Sequence, residues 1–225
     1  MYRRFGKRAL DVILSVFALL ILWPVLAVLA VLVRCKLGSP MLFRQERPGK
    51  DEKIFILVKF RTMTDEKDSD GNLLPDAQRL TPLGRFLRST SLDELPELFN
   101  ILRGDMSFVG PRPLLVRDMV FMTENQRRRH TVPQGLTGLA QINGRNGITW
   151  EEKLQLDLEY VDNLSFGEDF RIFFQTIGKV LRRSDINFEG MATAEDLGDY
   201  LLRTGRVDSH LYESKLKDCK ENVRI

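Results

Sequence analysis

Apolar residues run almost unbroken from Val12 to Val33. As a helix this run would rise about 33 Å at about 1.5 Å per residue, close to the roughly 30 Å of a bilayer's hydrocarbon core. Three features complicate a straight crossing. Pro24 sits near the middle, where a proline removes a helical hydrogen bond and kinks the axis. Asp11 lies just before the run. Arg3, Arg4, Lys7 and Arg8 precede it and Arg34 and Lys36 follow it, so one basic end would sit on the wrong side of the membrane. A re-entrant helix-break-helix with its break at Pro24 returns both ends to one face, and the simple span remains the alternative. A cleaved signal peptide is disfavoured, because the stretch is long and ends in Val33-Arg34-Cys35-Lys36 rather than in small residues.

Beyond Gly38-Ser39-Pro40 the periodicity changes. Met41 to Gln45 and Ile54 to Phe60 predict short strands joined by a turn at Arg47-Pro48-Gly49-Lys50. Thr64 to Pro75 is polar and reads as a solvated loop. Leu83 to Arg88 predicts a short basic helix. The next helix can start at Ser91, whose spacing to Glu94 is that of a capping box, or at Asp93. Pro96 favours Asp93, because it then falls in the first turn, where no N–H is needed. Leu114 to Arg128 and Trp150 to Leu164 predict helices, and Gly135 to Gly147 a glycine-punctuated loop around Leu139 to Ile142. Phe170, Phe173, Phe174, Ile177, Val180 and Leu181 recur at helical spacing, on a helix that packs into the core or lies on the membrane interface. The segment from Ala194 to Ile225 is charged, poor in large apolar residues and without an assignable role.

Composition narrows the function. A net charge of +3 with 29% charged residues argues against a nucleic-acid binder. Two cysteines, Cys35 and Cys219, belong to no paired motif, so thiolate metal sites and a disulfide framework are disfavoured. Two histidines, His130 and His210, leave almost no material for histidine-based catalysis.

Carboxylates must therefore carry any reaction, and Asp93 and Glu94 are adjacent. Two neighbouring negative charges disfavour each other's ionisation unless cations or a metal offset them. An ionised aspartate can attack phosphorus without a general base, and a helix N-terminus would help keep it ionised. Glu94 would point elsewhere around the helix and serve as ligand to a divalent ion, with Mg²⁺ the natural choice among oxygen ligands. Lys59, Arg61, Arg88, Arg112 and Arg145 are candidate phosphate-holding cations, with Arg112 fixed between Pro111 and Pro113. Arg79, Arg103, Arg127, Arg128 and Arg129 read as solvated or salt-bridged surface.

The motifs Lys59-Phe60-Arg61-Thr62-Met63, Ser91 to Pro96, Gly104-Asp105-Met106-Ser107, Gly110-Pro111-Arg112-Pro113 and Gly135 to Gln141 together resemble the bacterial sugar transferase family. These are the monotopic phosphoglycosyl transferases, and the short form is similar to the diacetylbacillosamine-phosphate transferases. The resemblance implies an α/β fold, mostly α with a small β-sheet. Residues 1–36 would be a re-entrant anchor and 37–193 a cytosolic catalytic domain with amphipathic interfacial helices. Residues 194–225 would be an extension beyond the family's usual end.

The resemblance also implies transfer of a sugar 1-phosphate from a UDP-sugar to undecaprenyl phosphate at the cytoplasmic face of a bacterial inner membrane, with Mg²⁺ and an aspartyl-phosphosugar intermediate. Downstream glycosyltransferases are candidate partners. By position Asp93 matches the nucleophile and Glu94 its acidic neighbour at the metal, which Asp93 also adjoins. Arg88, Arg112 and Arg145 match phosphate-binding positions, Lys59 lies in the lysine-containing strand motif, and Asp157 and Asp169 take supporting roles. One departure is local: Trp23, not the serine frequent in similar short members, precedes Pro24. A non-catalytic membrane adaptor that binds anionic lipid or nucleotide-sugar is the competing class.

Overall fold

The fold was read from a computed structural model that describes residues 1–144, 147–182 and 195–222. Helix α1 (Lys7–Leu37) contains the whole apolar run, including Pro24. The interruption expected at Pro24 is absent, because a proline withholds one N–H while the turns on either side keep theirs. By length and composition α1 could cross a membrane, yet its two ends dock on the same domain. At the start, Lys7 Nζ lies 2.6 Å from Asp169, and Arg8 donates to the carbonyls of Ile101 and Leu102. Asp11 accepts hydrogen bonds from the Ser107 hydroxyl and the Phe108 N–H, each at 3.0 Å. At the other end Leu29, Val33 and Leu37 are buried with Phe60 and Leu87. Most of the intervening apolar face, including Phe17, Leu20, Ile21 and Trp23, is exposed.

Strands β1 (Leu42–Pro48) and β2 (Ile54–Phe60) form an antiparallel hairpin that pairs Leu42 with Phe60. The turn falls later than the sequence suggests, at residues 49–53, with Asp51 and Glu52 at positive φ. Helices α2 (Asp76–Arg79) and α3 (Pro82–Ser89) follow. Thr81 caps α3 by accepting from the Gly84 N–H at 3.0 Å, with Pro82 in the first turn. Helix α4 (Glu97–Arg103) then leads to strand β3 (Met106–Val109), which pairs in parallel with β4 (Gln134–Thr137).

The described residues thus carry two small two-stranded sheets rather than one. The parallel pair is short, and Gly135 leaves it without an apolar signature. Its backbones interlock closely: Gly110 N–H donates to Thr137 O and Gly135 N–H to Pro111 O, each at 2.8 Å. A Cβ on Gly135 would lie 2.1 Å from the Gly110 nitrogen, so only glycine fits there.

The single helix expected over Leu114 to Arg128 is replaced by α5 (Val116–Met119) and α6 (Glu124–Arg127). Thr123 restarts the chain with a capping box, its hydroxyl accepting from Gln126 N–H while Gln126 Oε1 accepts from Thr123 N–H. After α7 (Leu139–Ile142), helix α8 (Trp150–Asn163) opens with a second capping box, Thr149 with Glu152. Helix α9 (Phe166–Arg182) divides its aromatic residues between two faces. Ile172 and Phe173 enter the core, whereas Phe166, Phe170, Phe174 and Ile177 form an exposed stripe. The core-packing reading therefore holds for one face, and the other face carries an exposed apolar stripe.

Helices α10 (Leu197–Arg203) and α11 (Ser209–Asn222) pack through Leu197, Tyr200, Leu201, Tyr212 and Leu216 against Phe121, Met122, Trp150 and Leu154. The C-terminal extension is therefore a docked helical pair, although its sequence looks merely charged.

Candidate active site

The segment carrying Asp93 is shaped by Pro96, which cannot donate the hydrogen bond of a continuous helix. The chain answers with a 3-10 turn over Leu92–Glu94, entered through Ser91 at φ 55°, and α4 begins only after Pro96. Asp93 is therefore not the N-cap, and Ser91 makes no side-chain cap. Asn100 is fully buried and ties α4 to β2, donating to Ile56 O at 2.7 Å and accepting from Val58 N–H. That link fixes Lys59, the next residue on β2, against α4.

Lys59 Nζ lies 2.7 Å from Glu94 Oε1 and 3.0 Å from Glu97 Oε1. Arg112 reaches the same Glu94 oxygen at 2.7 Å. Burial alone would raise Glu94, but Arg112 and Lys59 together outweigh it and hold this carboxyl well below the usual range. Asp93 is also buried, yet among the described residues its carboxylate accepts no hydrogen bond. Burial and then the Glu94 charge push it up to about 6, against the pull of Lys59, Arg88 and Arg112. The expected depression by a helix N-terminus is therefore reversed, because the helix starts after Pro96 and the neighbouring acid dominates.

Arg88 lies close enough to act electrostatically on Asp93 and donates from Nε to the Thr62 hydroxyl at 3.1 Å. Lys59, Arg88, Arg112, Asp93 and Glu94 thus come together. Arg61 does not: its guanidinium donates to the carbonyls of Leu37 and Pro40 and pairs with Asp65 at 3.1 Å, so it closes the C-terminal end of α1. Arg145 lies outside the described residues.

Asp157 and Asp169 stand behind the site. Asp157 pairs with Arg129 at 2.8 Å, both fully buried, and Arg129 donates to the Arg112 carbonyl at 2.6 Å. Asp169 accepts from Lys7 and the Tyr160 hydroxyl, and Lys7 also donates to Val109 O, just ahead of Gly110.

Three further residues emerge only in the fold. Arg129, expected at the surface, is enclosed. Its tertiary partner Asp157 lies 28 positions away, and no local pattern joins them. Arg47 donates to Pro113 O at 3.2 Å, so guanidinium groups hold the carbonyls of both Arg112 and Pro113. Glu97 is 3% exposed, and burial with the Glu94 charge raises it to about 7 despite Lys59. Its position three residues after Glu94 was the available signal.

A second feature adjoins these residues. An apolar cavity of about 500 Å³ lies between α1 and the hairpin, lined by Leu19, Trp23, Leu26, Val58, Phe60, Pro96 and Phe99.

An apolar helix is thus docked along the domain that holds an open carboxylate beside one neutralised by two cations. The chain belongs to the bacterial sugar transferase family, which it matches over residues 2–183. It is 52% identical over 189 residues to the uncharacterized sugar transferase EpsL of Bacillus subtilis, covering 84% of this chain and 94% of that one. It is 41% identical to the UDP-glucose:undecaprenyl-phosphate glucose-1-phosphate transferase of Klebsiella pneumoniae, over 77% of this chain and 39% of that one. The undecaprenyl-phosphate galactose phosphotransferase of Salmonella typhimurium is 36% identical, over 80% of this chain and 41% of its own length. The chain spans about two-fifths of these two named transferases.

Proposed function

We propose that the protein transfers a sugar 1-phosphate from a UDP-sugar to undecaprenyl phosphate, releasing UMP, through a covalent intermediate on Asp93. The observation that carries this reading is the asymmetry of the two acids: Glu94 is engaged by Lys59 and Arg112, while the Asp93 carboxylate is unbonded among the described residues. In the first step an Asp93 oxygen attacks the sugar-bearing phosphorus, forming an acyl phosphate as the bond to UMP breaks. In the second an oxygen of the lipid phosphate attacks that phosphorus and Asp93 leaves as carboxylate. Both acceptors are anions at neutral pH, so no base is needed, in keeping with the scarcity of histidine. Arg88, Lys59 and Arg112 hold the charge of the transferring group. Relatives named for UDP-glucose and undecaprenyl phosphate support the substrate classes.

The residues present suit Mg²⁺. Among the described residues no three acidic, histidine or cysteine side chains converge on a metal. Mg²⁺ does not need such a cage, since it commonly takes one or two carboxylates and completes its shell with phosphate oxygens and water. Asp93 and Glu94 would hold it, and the donor set is all oxygen. When bound it would neutralise the charge of the diphosphate.

The same proposal places the catalytic domain at the cytoplasmic face of a bacterial inner membrane, with the exposed apolar face of α1 set into that face. Support comes from the docking of both ends of α1 on one domain and from the exposed aromatic stripe of α9. The apolar cavity beside Pro96 is suited to a polyprenyl chain.

The test is a single-turnover reaction without lipid acceptor, using a donor labelled in the sugar phosphate. Wild type is expected to release about one equivalent of UMP and retain label on protein, and Asp93→Asn neither. UMP release only when lipid is added would favour direct attack by the lipid phosphate and sink the covalent step.

A further inference from the structure

Lys59 lies on the same side of β2 as the buried Phe55 and Leu57, so its ammonium is carried into the domain and needs anions there. It has two. Nζ donates to Glu94 Oε1 at 2.7 Å, and Glu97 Oε1 lies 3.0 Å from the same nitrogen. The two acids are not used alike. Glu94 also receives Arg112, whereas Glu97 Oε1 is buried and, even at that distance, accepts no well-directed hydrogen bond. An acid 3% exposed with an unmet oxygen costs stability unless some state of the site uses it.

Its placement is fixed by the helix. Asn100, three residues on and on the same face of α4, donates to Ile56 O and accepts from Val58 N–H, which sets Glu97 against Lys59. Two cations on Glu94 Oε1 oppose a divalent cation at that carboxylate, so one of them must yield before Glu94 can hold it. Arg112 has no second carboxylate within ion-pair reach among the described residues; Lys59 has Glu97. Burial and then the Glu94 charge raise the Glu97 carboxyl, and a cation on Glu94 cancels the second cause. Glu97 thereby becomes the better acceptor when Lys59 needs one.

We propose that Glu97 is a positioning residue, which takes over the Lys59 ammonium when Glu94 turns to the divalent cation that accompanies a nucleoside diphosphate. It acts through Lys59, which stays in the site while Glu94 is released. The inference rests on the transferase reading above.

Two measurements on the full-length protein test it. In a structure of wild type bound to Mg²⁺ and UDP, Lys59 Nζ is expected to donate to a Glu97 oxygen and to have left Glu94. Nζ still bonded to Glu94 overturns the proposal without requiring any variant to fold. The second is a calorimetric titration with UDP, with Mg²⁺ or with EDTA. Glu97→Gln is expected to weaken UDP binding about tenfold with Mg²⁺, the size of one charge-assisted hydrogen bond, and less than twofold with EDTA. A merely structural defect would weaken both alike, and that result overturns the proposal, as does a loss under twofold with Mg²⁺. In a Lys59→Met background Glu97→Gln should have no further effect. The same tenfold loss there would mean that Glu97 acts by its own charge, and not through Lys59. If wild type still binds UDP and releases UMP in any overturning case, only the role of Glu97 falls; if wild type does neither, the transferase reading falls with it.

Discussion

Lys59 Nζ lies 2.7 Å from Glu94 Oε1, and this ion pair separates the roles of two acids adjacent in the chain. With Arg112 it keeps Glu94 ionised, and the Glu94 charge in turn makes Asp93 reluctant to ionise. The proposed nucleophile is thus destabilising by construction, a common cost of function.

Asp93→Asn should abolish turnover and stabilise the protein near neutral pH. The carboxyl's folded pKa of about 6 lies above its ordinary 3.8, so ionisation weakens the fold progressively as pH rises through that window. Below pH ~4 the variant and wild type should melt alike. Above pH ~6 the variant should gain on the order of 1–3 kcal/mol, the scale of about two pKa units discounted for relaxation. Thermal melts at the two pH values check this, and an equal gain at both would refute it.

The acid limb of the rate profile should sit near pH 6, because the proposed attack needs ionised Asp93. Single-turnover UMP release at subsaturating donor should fall about tenfold per pH unit below it. A limb near pH 4 in the presence of Mg²⁺ would show the cation offsetting the Glu94 charge, whereas an Asp93 carboxyl titrating near pH 4 without Mg²⁺ would refute the assignment.

Arg129→Met should leave Asp157 buried without its partner, at a cost of about 3–5 kcal/mol. The double variant Arg129→Met/Asp157→Leu should recover much of that stability yet remain impaired in turnover, since the Arg112 carbonyl still lacks its donor. Melting and UMP release measured on the same samples separate the two effects.

Asp118→Ala should leave the Leu115 and Leu197 N–H groups without their acceptor, costing about 2–4 kcal/mol. Loss of amide-exchange protection in residues 197–216 before the rest of the chain would show that this residue docks the C-terminal helices. Global, simultaneous loss would show instead that the extension and domain unfold as one unit.

Much of this organisation is legible in the sequence, and for physical reasons. The hairpin declares itself through β-branched and aromatic residues, α8 is read over Trp150 to Leu164, and the anchor shows through sheer apolar length. Arg112 is fixed between two prolines, and Asp93, Glu94 and Lys59 lie in short motifs that carry the signal. What the sequence hides is tertiary. Arg129 and Arg47 act through backbone carbonyls, which no pattern of side chains records. Arg61 shares a motif with Lys59 but is turned to the end of α1. Pro96 does constrain the helix start, yet the chain meets it with a 3-10 turn rather than with a helix begun at Asp93. The C-terminal helices were obscured because their few apolar residues are spaced to meet Phe121 and Trp150, a surface that exists only after folding.

Arg61 and Lys59 are two residues apart at the end of β2, one holding the last carbonyl of α1 and the other the acids. The height of the reaction above the anchor is therefore a fixed length of backbone, with no hinge between them. Such an enzyme meets a lipid acceptor only by lateral diffusion within a sheet, so its second step should answer to the mole fraction of acceptor in that sheet. Diluting the vesicles tenfold should leave that step unchanged, whereas diluting the acceptor with inert lipid should slow it.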